Sequence, residues 1–413
     1  MSKKEKIIIM GGGQAAAYAA KEIRTINNHS ELTIVTEENS LPYERPPLSK
    51  DCLLDKIDFE ACLFFKQNFY NENNINCIMN EKIDEVDLEN KKLHSNKNNI
   101  FNYDKLLIAT GSKNKKIDID GLDTNEEGVV YLRDIKESKI IKDKMKSISN
   151  IVIIGGGFIG LEIASSANQM KKNVAVIERT NQLMGRVIPK QISKIIQNQH
   201  EKNGNKIYLN TNINKIKKRN DSFEVILDSN NTIKADLIIV GVGSTPDTSM
   251  YVNSSLKIDN GIITDEFSQT SVANVYAAGD ITNFYHPFYG THMRLESFKH
   301  AQNQGINAGK NIVGVKTPYN EIPWMWSDQF DLNLQMTGIC SDYENYAQRG
   351  KNTSEGIIYF FLKNRKIIGA CGIGVGGKIG RDIRLAGKLS EKKIKVTKEI
   401  LSNKDVKLNK IKF

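Results

Sequence analysis

Two glycine-rich turns carry the clearest chemistry in this 413-residue chain. The first, Gly11-Gly12-Gly13-Gln14-Ala15-Ala16, follows the apolar run Ile7 to Met10. The second, Gly155-Gly156-Gly157-Phe158-Ile159-Gly160, follows Ile151 to Ile154 and begins 144 residues further on. In each, the leading glycine (Gly11, Gly155) allows a tight turn and the next (Gly13, Gly157) lets the backbone approach a pyrophosphate. A small third residue, Ala16 or Gly160, lets the following helix press on its strand. The helix N-terminus then offers the phosphates its N–H groups and its positive dipole end. An acid at the end of the next strand completes each unit. Glu37 lies 24 residues beyond Gly13, with Glu38 as its alternative, and Glu178 lies 21 beyond Gly157. Such a carboxylate accepts from a ribose hydroxyl, and at Glu178 it would repel a 2′-phosphate, which favours NADH over NADPH; Arg179 beside it pulls the other way. One such turn is weak evidence. Two, each set in strand, turn, helix, strand and acid, imply two different dinucleotides, and two-electron traffic between a nicotinamide and a flavin is the chemistry that pair performs.

The elements that must position these turns are legible around them. The run Ile7 to Met10, a helix over Ala17 to Ile23 and the run Leu32 to Val35 form one βαβ unit. Ile151 to Ile154, a helix to about Met170 and Val174 to Ile177 form another. Further apolar strands end in small residues: Leu106 to Ala109 into Thr110-Gly111, Leu237 to Val240 into Gly241-Val242-Gly243, and Val275 to Ala278 into Gly279-Asp280. This is the pattern of open α/β sheets whose ligands sit at the strands' carboxyl ends. The last ninety or so residues differ: Gly356 to Phe361 and Lys366 to Gly372 read as two strands around Lys363-Asn364-Arg365, followed by a basic helix near Arg381 to Leu389. The expected fold is therefore α/β, with two Rossmann-like dinucleotide-binding domains and an α+β domain starting near Glu321.

Composition narrows the function further. With 39% apolar and 26% charged residues the chain is of globular type and long enough for two or three domains. No apolar stretch approaches the roughly 18 to 20 residues of a membrane span, and the N-terminal apolar run is too short for a signal peptide, so a cytoplasmic protein without membrane association is expected. Cys52, Cys62, Cys77, Cys340 and Cys371 are scattered and none has C-x-x-C spacing, which argues against a structural metal site, a cluster or a disulfide framework. The net charge of +10 is concentrated: residues 363–413 carry fifteen Lys or Arg against four acids, and the remainder is nearly neutral. A surface of that sign can steer an acidic partner. No nucleic-acid motif accompanies it, so nucleic acid is not an expected partner.

Five segments carry a specific likeness: Leu41 to Lys50 (Leu-Pro-Tyr-Glu-Arg-Pro-Pro-Leu-Ser-Lys), Gly155 to Glu162, Tyr276 to Asp280, Arg294 to Ser297 and Pro323 to Gln329. In these the chain, from Ile7 to about Leu389, resembles the oxygenase-coupled NADH–ferredoxin reductases, and more distantly glutathione reductase and apoptosis-inducing factor. The resemblance implies a glutathione-reductase-like fold: an FAD-binding domain of residues 1–115 and 245–320, an NAD-binding domain of residues 116–244, and a C-terminal domain of residues 321–413. It implies FAD contacts at Gly11, Gly13, Gln14, Ala15, Ala16, Glu37, Arg45, Pro47, Lys50, Ile83, Ala109, Thr110, Gly111, Arg133, Asp280, Phe298 and Trp326. NADH contacts are expected at Gly155, Gly157, Phe158, Ile159, Gly160, Glu162, Glu178, Arg186 and Gly243. Phe298 stands where such reductases often have tryptophan.

The same likeness implies the mechanism. Lys50 resembles the lysine beside flavin N5, and Glu162 the acid that pairs with it and borders the nicotinamide; these are the two expected catalytic residues. Trp324 and Trp326, two apart, share a face of an extended segment, and the resemblance places that segment over the flavin. The related disulfide reductases carry a C-x-x-x-x-C pair where this sequence reads Pro46 to Lys50 and has only Cys52 nearby, so electrons are expected to leave directly from the flavin to an acidic 2Fe-2S ferredoxin. The alternatives are an NADH-sensing flavoprotein like apoptosis-inducing factor, and an NADH oxidase or disulfide-type reductase. A monomer or weak homodimer is expected.

Overall fold

Short apolar runs, each closed by a glycine or an acid, become the parallel strands of two sheets in the computed structural model, which describes residues 4–411. The chain packs as two units. The first comprises the chain up to Glu44, Phe59–Lys113 and Ser244–Glu321; the second comprises Arg45–Asp58, Asn114–Gly243 and the chain from Ile322.

In the first unit, five parallel strands lie in the order Val275–Ala277, Lys105–Ile108, Lys6–Met10, Glu31–Val35, Ile75–Ile78. Strands buried on both faces read as continuous apolar runs rather than alternating ones, and Ile7, Ile8, Ile9 and Met10 are all buried. One face is covered by the helices Gln14–Ile26 and Phe298–Ile312, where Ala16, Ala20 and Ile23 pack with Ala308 and Ile312. The other face packs Ile8, Met10, Leu106 and Ile108 with Ile83 and Leu93 of an antiparallel three-stranded sheet. The expected helix over Ala17 to Ile23 begins three residues earlier, at Gln14, because the turn itself supplies the N-cap at Gly13.

In the second unit, the parallel order is Lys206–Tyr208, Asn173–Ile177, Asn150–Ile154, Leu237–Val240, Val129–Val130. The C-terminal part is an antiparallel sheet in the order Trp324–Gln329, Leu332–Gly338, Lys366–Val375, Ile357–Lys363, Asn345–Arg349. The helix Gly380–Glu391 lays Ile383, Ala386 and Leu389 on it, with Phe360 and Ala370 beneath. Arg381, Arg384 and Lys388 remain exposed on its outer side. Among the described residues no helix is long and apolar enough to cross a membrane, and no group of His, Cys, Asp and Glu is arranged to hold a metal ion.

Candidate functional site

The two glycine turns have the backbone that phosphate binding needs. Gly11 adopts φ +116°, and a Cβ there would stand 2.3 Å from the Ala109 carbonyl oxygen, so no other residue fits. At Gly160 a Cβ would stand 2.5 Å from the Gly155 carbonyl oxygen, which is the close helix-to-strand approach expected of the third glycine. Gly13 and Gly157 are the N-caps of Gln14–Ile26 and Phe158–Gln169; neither helix has a side-chain cap or an acid in its first turn. Nothing lies within 4 Å of a Cβ built at Gly13. Open space and uncapped N–H donors fit a pyrophosphate at the first turn; at the second the helix N–H donors are likewise uncapped, while Glu178 takes the Gly156 N–H.

In the first unit the structure gathers several expected FAD contacts. Gln14 Nε2 donates to the Phe298 carbonyl at 2.8 Å, tying the turn to the start of helix Phe298–Ile312. The Gly279 N–H donates to Gln304 Oε1 at 2.7 Å, and Ser112 Oγ donates to Asp280 Oδ2 at 3.1 Å, which holds the Gly279-Asp280 turn next to the Thr110-Gly111 turn. Gln304 is fully buried, and its Oε1 also accepts from Thr282 Oγ1 at 3.0 Å. Glu37 is exposed just past strand Glu31–Val35, whereas the alternative acid, Glu38, accepts from the Tyr43 hydroxyl. Ala15, Ala16 and Ala109 are core residues, as is Ile83, whose side chain packs under the sheet; contact from Ile83 to a ligand is left to its backbone.

The remaining expected flavin contacts, Arg45, Pro47, Lys50, Arg133 and Trp326, belong to the second unit. Arg45 Nη1 donates to the Arg133 carbonyl, and the Arg133 N–H donates to Glu137. Burial pushes the Glu137 carboxyl up, and neighbouring Asp134 adds to the effect. Pro46–Ser49 is a short 3₁₀ turn that presents Lys50, and the Ser138 hydroxyl fixes it by donating to the Leu48 carbonyl at 2.8 Å.

Lys50 and Glu162, 112 residues apart in sequence, meet in this unit: Nζ lies 3.3 Å from Glu162 Oε1. Glu162 is 6% exposed. It accepts from Ser49 Oγ on Oε2 and from Ser327 Oγ on Oε1 at 2.7 Å. On its other side Lys50 Nζ lies 3.8 Å from Asp328 Oδ2 and 5.8 Å from the Trp326 ring centroid, and Trp326 Nε1 donates to that same Asp328 oxygen at 3.1 Å. The two tryptophans share a face as expected, with centroids 5.3 Å apart and planes 22° from parallel. Ser49, Ser327 and Asp328 were given no role in the sequence analysis, although all three lie inside its quoted segments; their partners come from distant strands and helices.

Around the second turn, Glu178 already accepts from the Gly156 N–H on Oε2 and the Thr180 N–H on Oε1, both at 2.8 Å, which orients its carboxylate at the strand end. Arg186 lies against Gly243, with Nη2 3.1 Å from where a Cβ would stand. Phe158 and Ile159 open the helix, and Ile159 is an exposed large apolar side chain.

Comparison with known proteins agrees with this geometry. Residues 5–305 match the pyridine nucleotide-disulphide oxidoreductase family, and residues 324–412 match the reductase C-terminal family. The chain is 32% identical over 363 residues to the rubredoxin-NAD(+) reductase of Ectopseudomonas oleovorans, covering 88% of this chain and 94% of that one. It is 29% identical to the ferredoxin–NAD(+) reductase component of the anthranilate 1,2-dioxygenase system of Burkholderia cepacia, covering 92% and 94%. Among solved structures, the ferredoxin reductase for the CYP199A2 system from Rhodopseudomonas palustris superposes with a TM-score of 0.93 at 29% identity, over 98% of this chain and 99% of that one. With both turns, the Lys50–Glu162 pair and the C-terminal sheet in place, the chain belongs to the pyridine nucleotide-disulphide oxidoreductase family, and its cofactors are FAD and NADH.

Proposed function

We propose that this chain is the cytoplasmic reductase of an oxygenase system, taking electrons from NADH and passing them one at a time to an acidic 2Fe-2S ferredoxin. The observation that carries the reading is the buried Lys50–Glu162 pair on a unit that has no cysteine pair at that place. When bound, FAD supplies the conversion between a two-electron hydride donor and a one-electron acceptor. Residues 1–115 and 245–320 hold the FAD, residues 116–244 hold NADH, and residues 321–413 form the third domain.

The chain's own groups bind and orient. The turns at Gly11 and Gly155 would receive the two pyrophosphates, Glu37 and Glu178 would accept from ribose hydroxyls, and Asp280, with Gln14 and Phe298, would hold the rest of the flavin nucleotide. Lys50 would supply a positive charge toward bound FAD. Glu162, accepting three hydrogen bonds, keeps that ammonium in place and excludes alternative rotamers of a long flexible side chain. Arg381, Arg384 and Lys388, exposed at i, i+3 and i+7 of helix Gly380–Glu391, form a positive stripe that raises the encounter rate with an acidic carrier without tight binding.

Purified protein is expected to be yellow, with about one FAD per chain, and to be reduced faster by NADH than by NADPH. Stopped-flow reoxidation with ferredoxin, rubredoxin, oxygen and a disulfide as acceptors tests the rest. Fast reoxidation by ferredoxin alone supports the proposal. A long-lived reduced state that no acceptor discharges would make the chain an NADH sensor instead, and rapid reoxidation by oxygen or disulfide would make it an oxidase or a disulfide reductase.

A further inference from the structure

A line of buried polar side chains runs away from Glu162 into the second unit. Asn205 Nδ2 lies 2.9 Å from His200 Nδ1; an amide NH₂ only donates, so Nδ1 accepts. His200 Nε2 lies 3.0 Å from Gln329 Oε1, which only accepts, so Nε2 carries the imidazole proton. Gln329 Nε2 donates to Ser327 Oγ at 3.2 Å, and Ser327 Oγ donates to Glu162 Oε1 at 2.7 Å. Every link therefore donates in one direction, toward the carboxylate. None of the five residues is more than 6% exposed. Leu332, Leu334 and Ile373 line the same space, and Phe330 meets the imidazole edge-on at 5.0 Å. Burial pushes His200 down to about 4, which keeps the ring neutral and able to accept from Asn205 at pH 7.

Four buried polar groups cost more than an apolar set of the same shape unless every one is bonded. Here all are, and serial donors polarise one another. The line joins three separate pieces of chain: helix Lys190–Lys202 with the following Asn205, strand Trp324–Gln329, and helix Phe158–Gln169. We propose that His200 and Gln329 are positioning residues, the far end of a one-way hydrogen-bond chain that fixes the Glu162 carboxylate and, through it, the Lys50 ammonium for flavin reduction. This rests on the NADH-to-flavin reading above. The serine end alone leaves Ser327 free to rotate its hydroxyl; the donor from Gln329, itself held by His200, occupies the serine's lone pair and commits its proton to Glu162.

The test uses the FAD-loaded enzyme in two measurements. The first is ¹⁵N NMR of histidine-labelled protein at pH 7, where His200 is expected as the neutral Nε2–H tautomer; an Nδ1–H or doubly protonated ring would overturn the proposal, because the chain would then not point to Glu162. The second is stopped-flow reduction by NADH, separating the limiting rate from the NADH dissociation constant. Gln329→Met and His200→Phe should lower the limiting rate about three- to tenfold at unchanged NADH affinity and FAD content. His200→Gln, which keeps one donor and one acceptor, should recover to within about twofold of wild type. Gln329→Glu can accept from His200 but cannot donate to Ser327 and offers its hydroxyl a rival acceptor, so it should be slower than Gln329→Met. Should His200→Phe not fold, the two near-isosteric Gln329 variants carry the kinetic test. Limiting rates all within twofold of wild type would overturn the proposal while leaving the function intact. A wild-type flavin that NADH leaves oxidised marks failure of the underlying reading, and takes the kinetic claim with it.

Discussion

Replacing Lys50 by methionine keeps most of the apolar stem, one atom shorter, and removes the ammonium with its charge and its N–H donors. The ammonium lies 3.3 Å from Glu162, with side-chain exposures of 15% and 8%. At an effective dielectric of about 20 that separation corresponds to a gross attraction of about 5 kcal/mol, and breaking a buried pair by deleting one partner costs about 3–5 kcal/mol. Two donors stay on the orphaned carboxylate, Ser49 and Ser327, and each hydrogen bond to a charged group retains about 1.5–3 kcal/mol. The stability loss should therefore fall at the low end of that range, about 3 kcal/mol, and the variant should fold and keep its FAD. The kinetic effect is separate: losing about 1.4–2.7 kcal/mol of charge stabilisation in the transition state slows flavin reduction ten- to a hundredfold. Stopped-flow absorbance at saturating NADH reads this rate directly, with FAD content measured on the same sample. A Lys50→Met enzyme that holds FAD and is reduced at the wild-type rate would refute the role assigned to the ammonium and leave Lys50 as a structural counter-ion to Glu162.

Arg349 predicts a different kind of loss: its five N–H groups reach Asp382 and the carbonyls of Leu401, Asn403, Lys404 and Val406, so Arg349→Ala should cost about 3–5 kcal/mol in a urea titration and open the Lys398–Lys410 region to trypsin, and a protease-resistant tail would refute it. Burial pushes His200 and His300 down to about 4, below the ordinary 6.5 of an unfolded imidazole, so the unfolded chain binds more protons between those values and stability should fall as pH drops from 6.5 toward 4, by up to about 3 kcal/mol per histidine; urea midpoints that stay flat from pH 7 to pH 5 would contradict this. Reversing charge at both Arg381 and Arg384 should lower ferredoxin reduction and flatten its salt dependence, yet leave reduction of a small neutral dye unchanged; an unaltered salt slope would move the docking surface elsewhere.

How much of this was legible in the sequence depends on where the constraint acts. At Gly11, Gly155 and Gly160 the backbone permits almost no other residue, so the constraint is written locally: the sequence reading placed both turns, both following helices and the acid after each second strand. The C-terminal sheet was only partly legible. Its expected strands, Gly356 to Phe361 and Lys366 to Gly372, are the doubly buried members Ile357–Lys363 and Lys366–Val375, whose apolar runs are nearly unbroken. Trp324–Gln329 and Asn345–Arg349 lie at the two sheet edges and carry polar residues there, as edge strands do, so they do not announce themselves. Lys50 and Glu162 came from the likeness of short segments to known reductases, not from spacing. His200 had no local signal: it is one polar residue on an amphipathic helix, and only folding shows that its ring points at Gln329.

The family takes its name from a disulfide, and the cysteines of this chain explain why the proposed electron path avoids one. Thiol–disulfide exchange needs a thiolate within reach of a partner. Cys52 and Cys62 are buried thiols ten positions apart, not five. Burial pushes Cys77 and Cys340 up to about 12 and holds Cys371 well above its ordinary value, all away from the thiolate form. In place of a cysteine pair, the segment after Pro46-Pro47 presents Ser49 and Lys50 to a single buried carboxylate. A serine and an ammonium store no electrons; they hold a charge in position. Electrons entering such a site would have no cysteine pair to wait on and would pass directly to whatever acceptor docks. That requirement connects the buried pair at Glu162 to the exposed arginines of helix Gly380–Glu391: a chain without an internal redox relay depends on how fast an external one arrives.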